Sequence, residues 1–143
     1  MTFNHMRSTL GLTNTSLNTW ELSRFCNKLN TNVIGGASKL LKYFIENYNP
    51  EKIVSFSDVA HTKGNLYNTL GFKQISISDP GYVWVNLKDD SYYTRVSCQK
   101  RNLRKLFSDE SIDIENKTER EIMIEHGYVQ VFDSGVIRWE WTK

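Results

Sequence analysis

The chain has 143 residues, of which 39% are hydrophobic and 24% charged, and its formal net charge at pH 7 is +2. This length predicts one domain or one domain with an appendage, and this share of apolar residues excludes an intrinsically disordered chain. No apolar run reaches the roughly 18 residues needed to cross a bilayer, and residues 1–15 lack a signal-peptide pattern, so we expect a cytoplasmic protein that does not enter membranes.

The first clear strand pattern lies in residues 20–26, WELSRFC. Residues 1–3 are compatible with the end of another strand, whereas the Thr-, Asn- and Ser-rich residues that follow them show little periodicity. Trp20 and Leu22 alternate as on a half-buried strand, and the phase then changes before Phe25. Such a change is typical of a β-bulge, so we expect a bulged strand here.

A glycine-rich loop and an amphipathic helix come next. The apolar residues with the spacing of one helix face are Ala37, Leu40, Leu41, Phe44, Ile45 and Tyr48. Gly35 and Gly36 open this helix, and Asn49-Pro50 ends it. Residues 52–60 have the β-branched and aromatic content of a buried strand, so the order strand, loop, helix, strand predicts a parallel βαβ crossover.

Three further elements complete the predicted core of the protein, residues 1–90. A short helix over about residues 65–70 ends at Gly71. Strands around residues 72–77 and 82–87 are joined by a turn at residues 78–81. These elements predict an α/β or α+β fold with a mixed sheet.

Residues 91–143 predict a C-terminal extension that packs on this core. A basic helix is expected over residues 96–107. Thr118 and Glu121 have the spacing of a capping box, which predicts a second helix that closes at residues 126–127. Strand patterns before and after Asp133-Ser134-Gly135 predict that the chain ends in a β-hairpin.

The loop at residues 32–38 is the most informative segment for function. Backbone amides at the start of a helix carry a partial positive charge, and they bind phosphate groups where glycine lets the ligand approach. The spacing in this loop matches neither the GxxxxGK[ST] P-loop nor the GxGxxG dinucleotide motif. The structural alternative is a glycine-rich turn that only starts the helix.

A second motif, YxxxGF at residues 67–72, follows the predicted strand that comes after this loop and its helix. Together, the bulged strand, the loop and this motif resemble the GCN5-related N-acetyltransferase superfamily over residues 20–87. In that superfamily a bulged strand splays from its neighbour, and the following loop cradles the pyrophosphate of coenzyme A. The resemblance therefore implies acetyl-CoA or another acyl-CoA as cofactor.

The resemblance also implies roles for individual residues. Residues 32–37, NVIGGA, match the superfamily pattern Arg/Gln-x-x-Gly-x-Gly/Ala, with Asn in place of Arg or Gln. The implied cofactor-binding residues are Asn32, Val33, Ile34, Gly35, Gly36, Ala37, Ser38 and Asn65. Tyr67 matches the tyrosine that protonates the departing thiolate in many members, and Glu21 or Asp58 is the expected general base. The structural alternatives are a packed Tyr67, a charged strand face at Glu21 and a helix cap at Asp58.

Longer stretches give a closer resemblance. Residues 21–72 and 119–141 resemble the region that follows the nuclease domain in certain phage homing endonucleases, and residues 23–72 resemble, more loosely, the phage Mom-type enzymes that modify adenine in DNA. Both resemblances imply a phage-type protein that works near DNA, in the cytoplasm of a bacterial host. Acetyltransferases of the superfamily place further elements before the bulged strand, so we expect an N-terminally shortened core. The sequence contains no recognisable nuclease motif.

The metal-ligating residue types do not form a motif. Cys26 and Cys98 have no CxxC or CxxH spacing, and we expect both to be buried thiols rather than a disulfide or a zinc ligand pair. Asp58 and His61 lack the third ligand that a metal site requires. We therefore expect no metal.

A basic block without acidic residues comprises Arg95, Lys100, Arg101, Arg104 and Lys105. A helix would present the last four as one stripe, because they form two pairs with a spacing of four residues, while Val96 and Leu103 pack inward. Such a stripe suits the phosphate backbone of DNA. The alternative is an ordinary solvated helix face, neutralised by the acidic residues between positions 109 and 125.

Two functions are compatible with these patterns. We favour an acyl-CoA-dependent acyltransferase-like protein that acts on or near DNA, because both the loop and the tyrosine are present. The alternative is a non-catalytic DNA-binding accessory module derived from a homing endonuclease. A shortened sheet would expose an edge, so a homo-oligomer is expected as a partner besides DNA.

Overall fold

The computed structural model describes residues 1–6 and 18–143. The elements in chain order are β1 (Thr2–His5), β2 (Thr19–Arg24), α1 (Gly36–Tyr48), β3 (Lys52–Asp58), α2 (Asn65–Thr69), β4 (Lys73–Ile77), β5 (Tyr82–Asn86), β6 (Tyr92–Thr94), α3 (Lys100–Phe107), α4 (Glu119–Glu125), β7 (Tyr128–Phe132) and β8 (Val136–Thr142). The chain folds into two compact units, the first made of Met1–Asp79 with Gly135–Lys143 and the second of Pro80–Ser134. The predicted mixed α and β class is confirmed at this level.

The first unit is built on a five-stranded sheet with the order β1-β2-β3-β8-β4. β2 and β3 pair in parallel, and the other neighbours pair antiparallel. Because α1 connects β2 to β3, the predicted parallel βαβ crossover is confirmed. No helix among the described residues is long and apolar enough to cross a membrane.

The predicted bulge in β2 is also confirmed. Thr2 lies opposite Arg24 and Phe3 lies opposite Leu22, so Ser23 is an extra residue in β2. On the other side of β2, the ladder with β3 ends at the pair Leu22 and Ser55, although β3 continues to Asp58. The two parallel strands therefore part beyond this pair.

One face of this sheet packs against α1 and forms the core of the first unit. The buried residues of this core are Leu22, Leu41, Phe44, Ile53, Leu70, Phe72, Ile137 and Trp139. From α1, Leu41 and Phe44 are buried as predicted, whereas Leu40 is 46% and Tyr48 54% exposed. The apolar stripe that α1 buries is therefore narrower than the sequence pattern.

The predicted C-terminal hairpin is wrong. β7 pairs with β5 in a three-stranded sheet of order β6-β5-β7, whereas β8 lies between β3 and β4 in the five-stranded sheet. β8 is drawn into the first unit because Ile137 and Trp139 complete its core, and the indole N–H of Trp139 donates to Ser57 Oγ at 2.8 Å. β4 pairs with β8 in the first unit and β5 belongs to the other sheet, so β4 and β5 do not pair. The two units are therefore divided after residues 79 and 134, whereas the sequence predicts a boundary after residue 90.

The second unit contains β5, β6, β7, α3 and α4. Its core consists of Trp84, Cys98, Leu103, Ile112, Ile122, Met123 and Tyr128. The predicted capping box is confirmed, because the Glu121 amide donates to Thr118 Oγ1 at 3.2 Å and the Thr118 amide donates to Glu121 Oε2 at 2.7 Å. The basic helix is shorter than predicted, and Val96 is 67% exposed rather than packed inward.

The two cysteines lie in different surroundings. Cys98 is buried in the core of the second unit, and burial raises its pKa to about 11, whereas Cys26 is exposed. The expectation of two buried thiols is therefore wrong for Cys26. We predict that dithionitrobenzoate titrates one thiol per chain in the native protein and the second only after unfolding, because the thiolate is the reactive form. Rapid release of two equivalents from the native protein would contradict this burial.

Candidate functional site

The start of α1 presents free backbone amides. Gly35 is the N-cap with φ 72°, and no side chain caps the helix. The Gly36 amide donates to Val33 O and the Lys39 amide to Gly35 O, both at 3.0 Å. Within the part of the chain that the structure describes, the amides of Ala37 and Ser38 have no hydrogen-bond partner. These two N–H groups and the helix dipole are suited to an anionic oxygen.

A cavity of about 320 Å³, here called the loop cavity, opens beside these amides. Six of the eight predicted cofactor residues line it: Asn32, Val33, Ile34, Gly35, Ala37 and Ser38. The opposite wall includes Leu66, Thr69 and Leu70 at and just beyond α2. Gly36 and Asn65 are not among the lining residues, and Asn65 instead begins α2, where its carbonyl accepts from Thr69 Oγ1 at 2.8 Å.

A second cavity of about 250 Å³, here called the Tyr67 cavity, lies at the end of the β2–β3 ladder. It is lined by Leu22, Ser23, Arg24, Phe25, Leu66 and Tyr67. Phe25 and Leu66 also line the loop cavity, so the two cavities adjoin. A ligand that occupied both would extend from the amides of α1 to the tyrosine.

The position of Tyr67 follows from the parting of the strands. Its hydroxyl donates to the carbonyl of Phe56 at 3.2 Å, one residue beyond the last β2–β3 pair. Its ring stacks on Trp139, with 5.0 Å between centroids, and meets Phe72 edge-on. The ring is therefore fixed by packing, and Tyr67 forms part of the wall of the Tyr67 cavity.

Ser55 adds a second hydroxyl beside Tyr67. Ser55 Oγ lies 3.1 Å from the Tyr67 hydroxyl oxygen and donates to the carbonyl of Leu22 at 2.8 Å. Ser55 is not among the residues predicted from the sequence, although a serine inside an apolar strand is a signal that could have identified it. Phe25 and Thr69, which line the loop cavity, were also not selected for the site.

Glu21 is not brought together with Tyr67. Its neighbours Trp20 and Leu22 both pack into the core of the first unit, as does Tyr67. Side chains alternate along a strand, so Glu21 lies on the other face of the sheet, where only 2% of it is exposed. This position separates the expected base from the expected acid.

Asp58 has a local role in the turn after β3. Its carboxylate accepts the amide of Ala60 at 2.7 Å and lies 3.1 Å from Nδ1 of His61. The Ala60 hydrogen bond, followed by the contact with His61, holds the pKa of Asp58 below its ordinary value. Asp58 does not cap α2, whose N-cap is Gly64, and it lines neither the loop cavity nor the Tyr67 cavity.

The basic block does not form the predicted stripe of four free cations. Arg104 Nε donates to the carbonyl of Ile112 at 3.2 Å, and Arg95 lies over the ring of Tyr82. The pKa of Glu121 is lowered by hydrogen bonds from Thr118 and, to a smaller extent, by the charges of Lys117 and Lys100. Arg101 and Lys105 remain exposed. The stripe is divided because part of the block stabilises the second unit.

Neither a metal-binding cluster in the described part of the chain nor a similar known protein identifies the function of this site. No group of three or more His, Cys, Asp or Glu residues among residues 1–6 and 18–143 is placed to hold a metal ion. No protein-family model matches the chain, and no curated protein matches it. The geometry of the two adjoining cavities is therefore the basis for a functional assignment.

Proposed function

We propose that the first unit binds an acyl-CoA and catalyses acyl transfer to a small nucleophile. The observation that carries the proposal is the adjoining pair of cavities, which connects two free amides at the start of α1 with Tyr67. A pyrophosphate needs donors and positive potential, and a thioester needs an apolar slot with a proton donor. The amides of Ala37 and Ser38 supply the hydrogen-bond donors at one end of the site, and Tyr67 supplies a proton donor at the other.

In this proposal the pyrophosphate accepts hydrogen bonds from the amides of Ala37 and Ser38. The pantetheine arm passes Phe25 and Leu66, which belong to both cavities. The thioester then lies in the Tyr67 cavity. An amine attacks the thioester carbonyl, the C–N bond forms, the C–S bond breaks, and Tyr67 gives its proton to the departing thiolate. The tyrosinate recovers a proton from the amine nitrogen through solvent.

The basic block gives less support to the alternative of a DNA-binding module. Arg104 and Arg95 are engaged within the second unit, and only Arg101 and Lys105 form an exposed pair one helical turn apart. Engagement of Arg104 and Arg95 leaves fewer cations of the block for the counterion release that drives phosphate-backbone binding. We therefore place the acyltransferase proposal first.

Ser38→Glu tests the proposed pyrophosphate site. Ser38 is exposed at the third position of α1, and the first turn of this helix contains no acidic residue. A carboxylate there should stabilise the free protein by about 0.3–1 kcal/mol through the helix dipole, yet it should compete with phosphate for the same amides. We expect acetyl-CoA to raise the thermal unfolding midpoint of the wild type and not that of Ser38→Glu.

Ser38→Gln is the matched control, since it has nearly the same size without the charge. At a concentration of 100 times Kd, a ligand should stabilise both this variant and the wild type by about 2.7 kcal/mol. Equal acetyl-CoA shifts in Ser38→Glu and Ser38→Gln would contradict the placement of the pyrophosphate. No shift of the wild type at millimolar acetyl-CoA would contradict the function itself.

A further inference from the structure

A third cavity continues the site along α1. It has a volume of about 390 Å³ and shares Ser38, Thr69 and Leu70 with the loop cavity. We call it the Trp141 cavity, because it is also lined by Trp141 of β8 together with Leu41 and Ile45 of α1. The three cavities therefore follow one another from Tyr67, past the amides of α1, to Trp141.

The lining of the Trp141 cavity is suited to a flat aromatic group. Its walls contain the aliphatic side chains of Leu41, Ile45 and Leu70, and the indole of Trp141 is half-buried. Among the described residues, the indole N–H of Trp141 has no hydrogen-bond partner. An indole can hold a flat heterocycle either by stacking on its face or by a hydrogen bond from its in-plane N–H to a ring nitrogen.

The rim of this cavity carries a cation that is available to a ligand. Lys42 and Glu46 both line the cavity, and Lys42 Nζ lies 3.8 Å from Glu46 Oε1, with 76% of the lysine side chain exposed. An exposed ion pair of this kind contributes little to stability, so Lys42 can exchange its partner for a phosphate at low cost. The cavity thus offers an aromatic surface and, at its rim, one cation whose carboxylate partner a phosphate can replace.

We propose that the Trp141 cavity binds the adenine base of the coenzyme, with the base against the indole of Trp141 and the ribose phosphate near Lys42. This inference rests on the proposed function. The order of the cavities matches the order of groups along an acyl-CoA, in which the thioester is followed by the pyrophosphate and then by adenosine. A base can stack on an aromatic side chain even in a cavity that is open to solvent, because every base presents a flat face.

The test uses adenosine 3′,5′-bisphosphate, which lacks the pantetheine arm, and 4′-phosphopantetheine, which lacks the adenosine. We expect the bisphosphate to quench tryptophan fluorescence in the wild type, and the quench to disappear in Trp141→Phe, which keeps an aromatic ring. Binding of the bisphosphate should weaken by about tenfold in Trp141→Leu and by less than about threefold in Trp141→Phe. Binding of 4′-phosphopantetheine should be the same in all three proteins.

The outcomes separate this inference from the proposed function. If acetyl-CoA binds the wild type but Trp141→Leu binds the bisphosphate as tightly as the wild type does, the adenine placement is overturned and the function stands. An equal loss of 4′-phosphopantetheine binding in Trp141→Leu would show general damage to the site and also overturn the placement. If acetyl-CoA does not bind the wild type at millimolar concentration, both are overturned.

Discussion

Gly64→Ala is expected to destabilise the first unit more than alanine at its other described glycines except Gly135, where a Cβ would overlap the carbonyl oxygen of Ser78. Gly64 has φ 75°, and a Cβ built on it would lie 2.3 Å from Cζ2 and 2.4 Å from Cη2 of Trp139. Trp139 is 2% exposed and is fixed by its bond to Ser57, so its ring has little room to move. We expect a loss of about 2–4 kcal/mol, from the positive φ and from overpacking.

Gly35→Ala is the matched control in the same unit. Gly35 has a similar φ of 72°, but nothing lies within 4 Å of its Cβ position, so only the backbone term applies. The difference between the two variants in the free energy of unfolding isolates the contact with Trp139. Urea unfolding measures this difference, and the thermal midpoint of Gly64→Ala should fall by roughly 10 °C.

The Trp139→Phe background provides a second check on Gly64→Ala. Phenylalanine lacks the two ring atoms that the new methyl group would meet. In this background the loss of unfolding free energy caused by Gly64→Ala should therefore fall towards the loss caused by Gly35→Ala. The same cost in both backgrounds would show that the Trp139 contact is not the cause. The contact also concerns the site, because Trp139 is the ring on which Tyr67 stacks.

The parts of the site that the sequence predicts are those specified by local patterns. Helical spacing over residues 37–48 and the glycines at its start locate α1 and its uncapped amides. The phase change before Phe25 locates the bulge of β2. Each of these features depends on neighbours within a few residues, and each is found where the pattern places it.

The parts that the sequence could not predict depend on the choice of a distant partner. The alternation of Ile137 and Trp139 is compatible both with a hairpin to β7 and with a position between β3 and β4. Only the packing of the core decides between these two positions. The two cavities require α2 to lie against the loop at residues 32–38. This packing leaves no periodic pattern in the sequence from which it could be predicted. The face occupied by Glu21, in contrast, follows from alternation with Trp20 and Leu22 and could have been inferred.

Tyr67→Phe is expected to separate binding from catalysis in the first unit. Removal of the hydroxyl takes away the proposed proton donor, and loss of a general acid typically lowers a rate by about 10²–10⁴-fold. The same change leaves the Phe56 carbonyl without its donor, at a stability cost of about 0.5–1.5 kcal/mol. The ring and its stacking on Trp139 remain, so acetyl-CoA should bind with nearly unchanged affinity.

Ser55→Ala is the matched control, because it removes the neighbouring hydroxyl and its bond to the Leu22 carbonyl but leaves the acid in place. Hydroxylamine is a suitable acceptor, since it is small enough for the Tyr67 cavity and largely uncharged at neutral pH. Loss of thioester absorbance from acetyl-CoA then measures the rate in each protein. We expect Ser55→Ala to lose stability comparably and to keep most of its rate. Equal rates for Tyr67→Phe and the wild type would contradict the role of Tyr67 as the acid, because the thiolate would then leave without a proton from the tyrosine.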